Sequence, residues 1–282
     1  MTSYHTTSVR GRRHFYREAG AKGSPTIVLL HGFPSSSHMY RELIPMLADK
    51  FHVIAPDYPG FGYSDMPSAT EFDYTFDNLA AHVEELLFSN LGLKTFRIYV
   101  QDYGAPIGYR IASKNPRAIE GIVVQNGNAY AEGIGPGFDA VKPLWKNRNA
   151  ETEAAVRALL TLETTKFQYV NGVKDESRIS PDAYHVDQMF LDRPGNDAIQ
   201  VNLLHNYQSN LGLYDGWQAY FRTHHPRMLI TWGINDVFFT VEGAKAYLRD
   251  LPEAELHLLE TGHFALEDHC AFIAERIGKF FA

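Results

Sequence analysis

One cysteine, Cys270, stands in a chain of 282 residues, which excludes an internal disulfide and any fold that depends on one. No run of about 18 apolar residues occurs, so no segment reads as a membrane-spanning helix. The opening "MTSYHTTSVRGRRHFYREAG" lacks the apolar centre of a signal peptide. There is no excess of positive charge either. With 26 Lys and Arg against 33 Asp and Glu, the net charge of −7 argues against a nucleic-acid partner. Arg10, Arg12, Arg13 and Arg17 read as a solvated face. No phosphate loop or dinucleotide fingerprint is present, since "GIGPG" (133–137) does not sit between strand and helix. Neither His224-His225 nor "EDHC" (267–270) has metal-ligand spacing, so no metal and no cofactor is expected. Internal repeats and low-complexity tracts are missing too. These absences predict a soluble, cytoplasmic globular protein, with its 45% hydrophobic residues sufficient for a sizeable core.

What is there has a rhythm. "TIVLLHG" (26–32), "FHVIAPD" (51–57), "TFRIYVQD" (95–102), "AIEGIVVQN" (118–126), "RMLITWGIND" (227–236) and "AELHLLE" (254–260) are short apolar runs closing on or near Gly, Asp, Asn or Glu. Such runs suit strands buried on both faces of a parallel sheet. Between them, Leu79, Val83, Leu86, Leu87 and Leu91 recur at helical spacing, as do Leu266, Cys270, Ile273, Ile277 and Phe280. Strands alternating with helices predict an α/β, doubly wound, mostly parallel sheet, with its ligand beyond the carboxyl ends of the strands. The rhythm breaks over 130–223, a stretch rich in Tyr, Asn and Gln with a helical pattern at "ETEAAVRALLTLETT" (151–165). That predicts a core of 1–129 and 224–282 with a helical cap, 130–223, inserted between two strands.

Chemistry gathers at the strand ends. "RIYVQDYGAPIGYR" (97–110) runs strand, tight turn, helix, the setting in which a sharp turn exposes a nucleophile. No Gly-x-Ser-x-Gly occurs anywhere, so Asp102 is the candidate; an Asp before a helix is also a common N-cap. "HGFP" (31–34), "GIND" (233–236) and "TGHF" (261–264) close other strands and add Phe33, Asp236 and His263.

This order of features resembles the α/β-hydrolase fold, with nucleophile, acid and histidine in that family's sequence. Within it, an aspartate nucleophile resembles the epoxide hydrolases and the haloalkane dehalogenases. A carboxylate attacking a saturated carbon gives an alkyl ester, which His263, oriented by Asp236, can help water to open. The resemblance implies backbone N–H groups of Phe33 and Tyr103 for the oxyanion. His31-Gly32-Phe33-Pro34 looks like the epoxide-hydrolase motif, and "HNYQSN" (205–210) and "KFQYVNG" (166–172) resemble segments bearing that family's two cap tyrosines, here Tyr207 and Tyr169. Val100-Gln101-Asp102 looks more like a dehalogenase, yet Tyr103 stands where both families commonly have Trp. In some haloalkane dehalogenases the acid follows the preceding strand, and resemblance to those would place it near Asn126, Asn128 and Glu132. Trp145 and Trp217, in the cap region, are candidates for the substrate pocket or for holding a halide. Cap aromatics such as Tyr130, Phe138, Phe167, Phe190 and Phe221 suggest a hydrophobic substrate. The expected activity is opening of a C–X bond at saturated carbon, foremost epoxide hydrolysis to a diol, with haloalkane or haloacid dehalogenation as the alternative. A non-catalytic hydrolase-like binder is the remote one.

Overall fold

Every one of the apolar runs becomes a strand of a single sheet in the computed structural model, which describes residues 1–282. The strands are β1 (Ser3–Val9), β2 (Arg12–Ala19), β3 (Thr26–Leu30), β4 (His52–Pro56), β5 (Phe96–Gln101), β6 (Ile119–Gln125), β7 (Met228–Gly233) and β8 (Glu255–Leu259). Their order is β1-β2-β4-β3-β5-β6-β7-β8, antiparallel from β1 to β4 and parallel from there on. Alternation explains why central strands read as unbroken apolar runs. Val28, Leu30, Ile98, Val100, Ile122, Val124 and Ile230 join one core. Ile27, Leu29, Tyr99, Val123 and Leu229 point the other way into a second.

The first two strands do not show in the apolar pattern. β1 is an edge strand with mostly exposed side chains, and a two-residue turn, Arg10-Gly11, joins it to β2. Both turn residues have positive φ (49° and 73°), the geometry that primed hairpin turns need, but Arg at the first position hides the signal that Asn or Asp would give. The arginine cluster is correspondingly not one solvated face. Arg17 is buried, its guanidinium over the Tyr4 and Phe15 rings and its Nε donating to Ser37 Oγ at 2.9 Å. Arg10 and Arg13 pair with Glu85 and Asp65.

Helices α1 (Leu43–Leu47), α2 (Phe76–Glu85) and α3 (Gly104–Lys114) precede β6. Between β6 and β7 come α4 (Lys142–Lys146), α5 (Ala150–Arg157), α6 (Leu162–Val170), α7 (Pro181–Leu191), α8 (Asn196–Asn206), α9 (Gln208–Leu211) and α10 (Tyr214–His224). Helix α11 (Val241–Asp250) and the terminal α12 (Leu266–Phe280) complete the chain. The helical pattern at 151–165 is two helices, because Thr161 accepts a hydrogen bond from Thr164 N–H and starts α6 afresh. Helix α10 packs against α3 and α11 of the core. No helix is long and apolar enough to cross a membrane.

Candidate active site

Strand β5 ends at Gln101, α3 begins at Gly104, and the turn between them holds Asp102 in the left-handed region, φ 48°. A non-glycine residue there carries strain of about 1–2 kcal/mol, which the surroundings enforce. A Cβ at Gly104 would lie 2.0 Å from the Leu30 carbonyl oxygen, and one at Gly32 would lie 2.3 Å from Asp102 Cβ. Only glycine on both sides lets the turn press against β3. The N-cap position of α3 is Tyr103, with no side chain capping it, and Asp102 Oδ1 instead accepts the Phe33 N–H at 2.6 Å.

The loop that carries Phe33 is fixed from beneath. His31 is fully buried and stacks on Tyr58 at 4.0 Å between centroids, while the Tyr58 hydroxyl donates to the His31 carbonyl at 2.8 Å. Burial pushes the His31 imidazole down to about 3, so it stays neutral. Asp57 accepts the N–H groups of Ser37 and Tyr63 at 2.7 and 2.8 Å and tethers the next loop.

From the ends of β7 and β8 come Asp236 and His263. Asp236 Oδ2 lies 2.8 Å from His263 Nδ1 and also accepts Asn126 Nδ2 at 2.8 Å, while Oδ1 accepts the Phe238 N–H at 2.7 Å. Asn126 thus contributes an amide that orients Asp236, its own Oδ1 fixed by the Gly233 N–H. The Tyr99 hydroxyl holds Gln125, whose amide holds the His263 carbonyl at 3.0 Å. Gln101 Nε2 stands 2.9 Å from His263 Nε2. Gln101 stands in the sequence only as part of Val100-Gln101-Asp102, and Gln125 and Asn126 belong to no motif. What marks them is position, each at the end of β5 or β6.

Electrostatics follow from burial. Burial pushes the Asp102 carboxyl up to about 6, against the pull of His263 and of the Phe33 and Tyr103 N–H groups. Burial depresses the His263 imidazole, but the Asp236 carboxylate, followed by Asp102, more than offsets it, and the net shift is upward.

Asp102 and His263 face one cavity. Phe33, Tyr103 and Phe238 complete its core side, and Gly137, Phe138, Val141, Leu159, Leu160, Thr164, Gln168 and Leu204 roof it. Most of the other aromatics expected there lie elsewhere. Trp145 Nε1 is committed to the Leu204 carbonyl at 2.7 Å, and its ring stacks on Tyr207. Trp217 packs on Tyr109 and under Arg110, against the core. Tyr169 stacks on Phe264 at 3.9 Å, and its hydroxyl donates to Asp187 Oδ2 at 2.5 Å, so it turns away from the cavity. Tyr207 comes close without lining the cavity: its ring lies 6.0 Å from Tyr103 and 4.9 Å from Phe138, and its hydroxyl neighbours that of Tyr214. Glu132 is on the surface, paired with Arg249, and takes no part. Among the remaining cap aromatics only Phe138 lines the cavity.

Known proteins frame this arrangement. The chain is 42% identical to an uncharacterised hydrolase of Saccharomyces cerevisiae across all of its own length and 98% of the yeast chain. It is 28% identical to a cis-3-alkyl-4-alkyloxetan-2-one decarboxylase of Shewanella oneidensis, over 95% of this chain and 88% of that one. To a haloalkane dehalogenase of Mycolicibacterium paratuberculosis it is 42% identical over 42% of this chain and 39% of the other. The solved structure of the epoxide hydrolase CorEH superposes with a TM-score of 0.79 over all of this chain and 99% of that one, at 22% identity, a likeness of fold. Residues 25–269 match the family model described as alpha/beta hydrolase fold, and the chain belongs to that family.

Proposed function

We propose that this hydrolase opens a C–O bond at saturated carbon, most directly an epoxide, through an alkyl ester on Asp102. The observation that carries the reading is the carboxylate itself: a strained, buried Asp102 faces an apolar cavity beside an Asp236–His263 pair. In the first step Asp102 attacks a ring carbon, the C–O bond breaks, and the alkoxide takes a hydrogen bond from Tyr207. Burial raises the Tyr207 hydroxyl well above its ordinary value, so it remains a protonated donor. In the second step His263 takes a proton from water, and the hydroxide adds to Asp102 Cγ. The Phe33 and Tyr103 N–H groups steady the developing oxyanion, roughly 3–4 kcal/mol per donor.

What favours epoxide over halide is the supply of donors. No indole N–H is free to hold a halide, since Trp145 is committed and Trp217 lies against the core. A dehalogenase reading draws on the partial match to the Mycolicibacterium enzyme and is the second choice.

The test incubates His263→Gln with styrene oxide or 1-bromohexane and measures the mass of the Asp102 peptide. A hydroxyalkyl adduct from styrene oxide supports the proposal. An alkyl adduct with bromide released makes the chain a dehalogenase. Unmodified Asp102 across a broad panel, with the variant folded, overturns both.

A further inference from the structure

Gln101 is fully buried, and its two amide atoms face very different surroundings. Nε2 lies 2.9 Å from His263 Nε2, whereas Oε1 has no hydrogen-bond partner in the protein. A buried carbonyl left unpaired costs about 1–3 kcal/mol, so a well-packed core does not keep one without return. Its place is informative. A Cβ built on Gly32 would lie 2.6 Å from Gln101 Oε1 and 2.5 Å from Asp102 Oδ1, so the two oxygens flank the same glycine.

With the Nδ1 proton of His263 directed at Asp236, Nε2 presents a lone pair, and the Gln101 amide donates into it. That lone pair is the one the hydrolytic water needs. We propose that Gln101 is a positioning residue for this water: its amide nitrogen holds His263 at rest and withdraws when water arrives, and its Oε1 then accepts the water's second O–H. The inference rests on the Asp102 ester reading above. Water has two donors, and His263 Nε2 and Gln101 Oε1 are two acceptors. Occupying both leaves an oxygen lone pair to meet Asp102 Cγ. The water oxygen bonds to Cγ and one of its protons passes to Nε2. The bond from Cγ to the alkyl oxygen then breaks, that oxygen takes the proton from His263, and Asp102 is released as an acid that ionises.

The first half-reaction makes no use of Gln101, and the test exploits that split. Gln101→Leu and Gln101→Glu are mixed with styrene oxide in single turnover, quenched, and the Asp102 ester is followed by mass. Leucine removes the unpaired carbonyl along with the amide, so the fold is expected to hold, and a melting curve checks it. In Gln101→Leu, ester formation stays within about threefold of the parent and breakdown slows on the order of tenfold, the loss of one hydrogen bond. In Gln101→Glu the acceptor is kept and a negative charge faces His263, so breakdown recovers at high pH with its midpoint moved up by about one unit. Unchanged breakdown in Gln101→Leu overturns the inference, and so does an equal slowing of both steps, the mark of a merely structural residue. If His263→Gln forms no ester at all, the Asp102 reading fails and the inference falls with it.

Discussion

Of the buried carboxyls whose pKa values are pushed upward, two invite comparison, one at the sheet edge and one in the helical region above it. Burial raises Asp102 to about 6 and Asp187, on α7, to about 7. Their partners differ. Asp102 takes a backbone N–H from a neighbouring loop, sits in left-handed backbone and opens on the cavity. Asp187 takes the Tyr169 hydroxyl, sits in regular helix and lines no part of that cavity. A perturbed carboxyl therefore does not by itself mark chemistry. Strain, an external N–H donor and an open face distinguish the first; the second joins α6 to α7.

Amide substitution sharpens that contrast. Asp102→Asn removes the attacking oxygen, and turnover falls on the order of 10³-fold or more, measured as product per enzyme. Asn tolerates φ > 0, so the turn survives. The folded pKa of Asp102 lies above its unfolded value of 3.8, so protonation favours the fold. That contribution is whole below about 4 and lost as pH rises through about 6. Asp102→Asn should then be more stable than the parent at pH 8, by up to about 3 kcal/mol, and close to it at pH 4. In the parent, ester formation should fall as pH drops through about 6, a limb absent from any step that begins with the ester formed. Asp236→Asn comes next. It leaves His263 without the acceptor that fixes its tautomer, so ester accumulates and breakdown slows on the order of 10²–10⁴-fold.

How much of this was legible in the sequence follows the same divide between sheet edge and cap. The parallel strands announce themselves because both faces are buried, and with them the ends that carry Phe33, Asp102, Asp236 and His263. The β1–β2 hairpin is hidden because one strand is exposed and its turn opens on Arg10. In the sequence Asn126 stands only as a neighbour of possible acids, whereas its amide orients Asp236; a two-donor amide leaves no motif. Among the cap tyrosines the segment and spacing around Tyr207 resemble their counterpart more closely than those around Tyr169, but resemblance does not say which one nears the cavity. That depends on which helix face meets the core, and both lie among aromatics.

Those tyrosines give the next effects in size. Tyr207→Phe should slow epoxide opening about 10- to 100-fold while leaving breakdown of a preformed ester within threefold, resolved by single-turnover quenching. Asp187→Asn should leave both steps within about threefold. Its stability gain at pH 8 has the same sign as that of Asp102→Asn, because burial raises this carboxyl too, and it fades as pH falls through about 7. Two substitutions would then agree in thermal melts and disagree by orders of magnitude in turnover.

The smallest expected effect is the one best placed to break the comparison. Tyr169→Phe keeps the ring stacked on Phe264, next to His263, and removes only the hydroxyl. Asp187 Oδ2 then loses its donor, and the buried carboxyl keeps only the neighbouring Ser35 hydroxyl. The cost should be about 1–2 kcal/mol in urea unfolding at pH 8 and less at pH 5, where that carboxyl is already protonated. Turnover should stay within about threefold because the hydroxyl points at Asp187 and not into the cavity. A 100-fold loss of epoxide opening with unchanged ester breakdown would mean that Tyr169 leaves Asp187 for the substrate during the reaction. The carboxyl in the cap would then belong to the chemistry after all, as the group that releases a proton donor on demand.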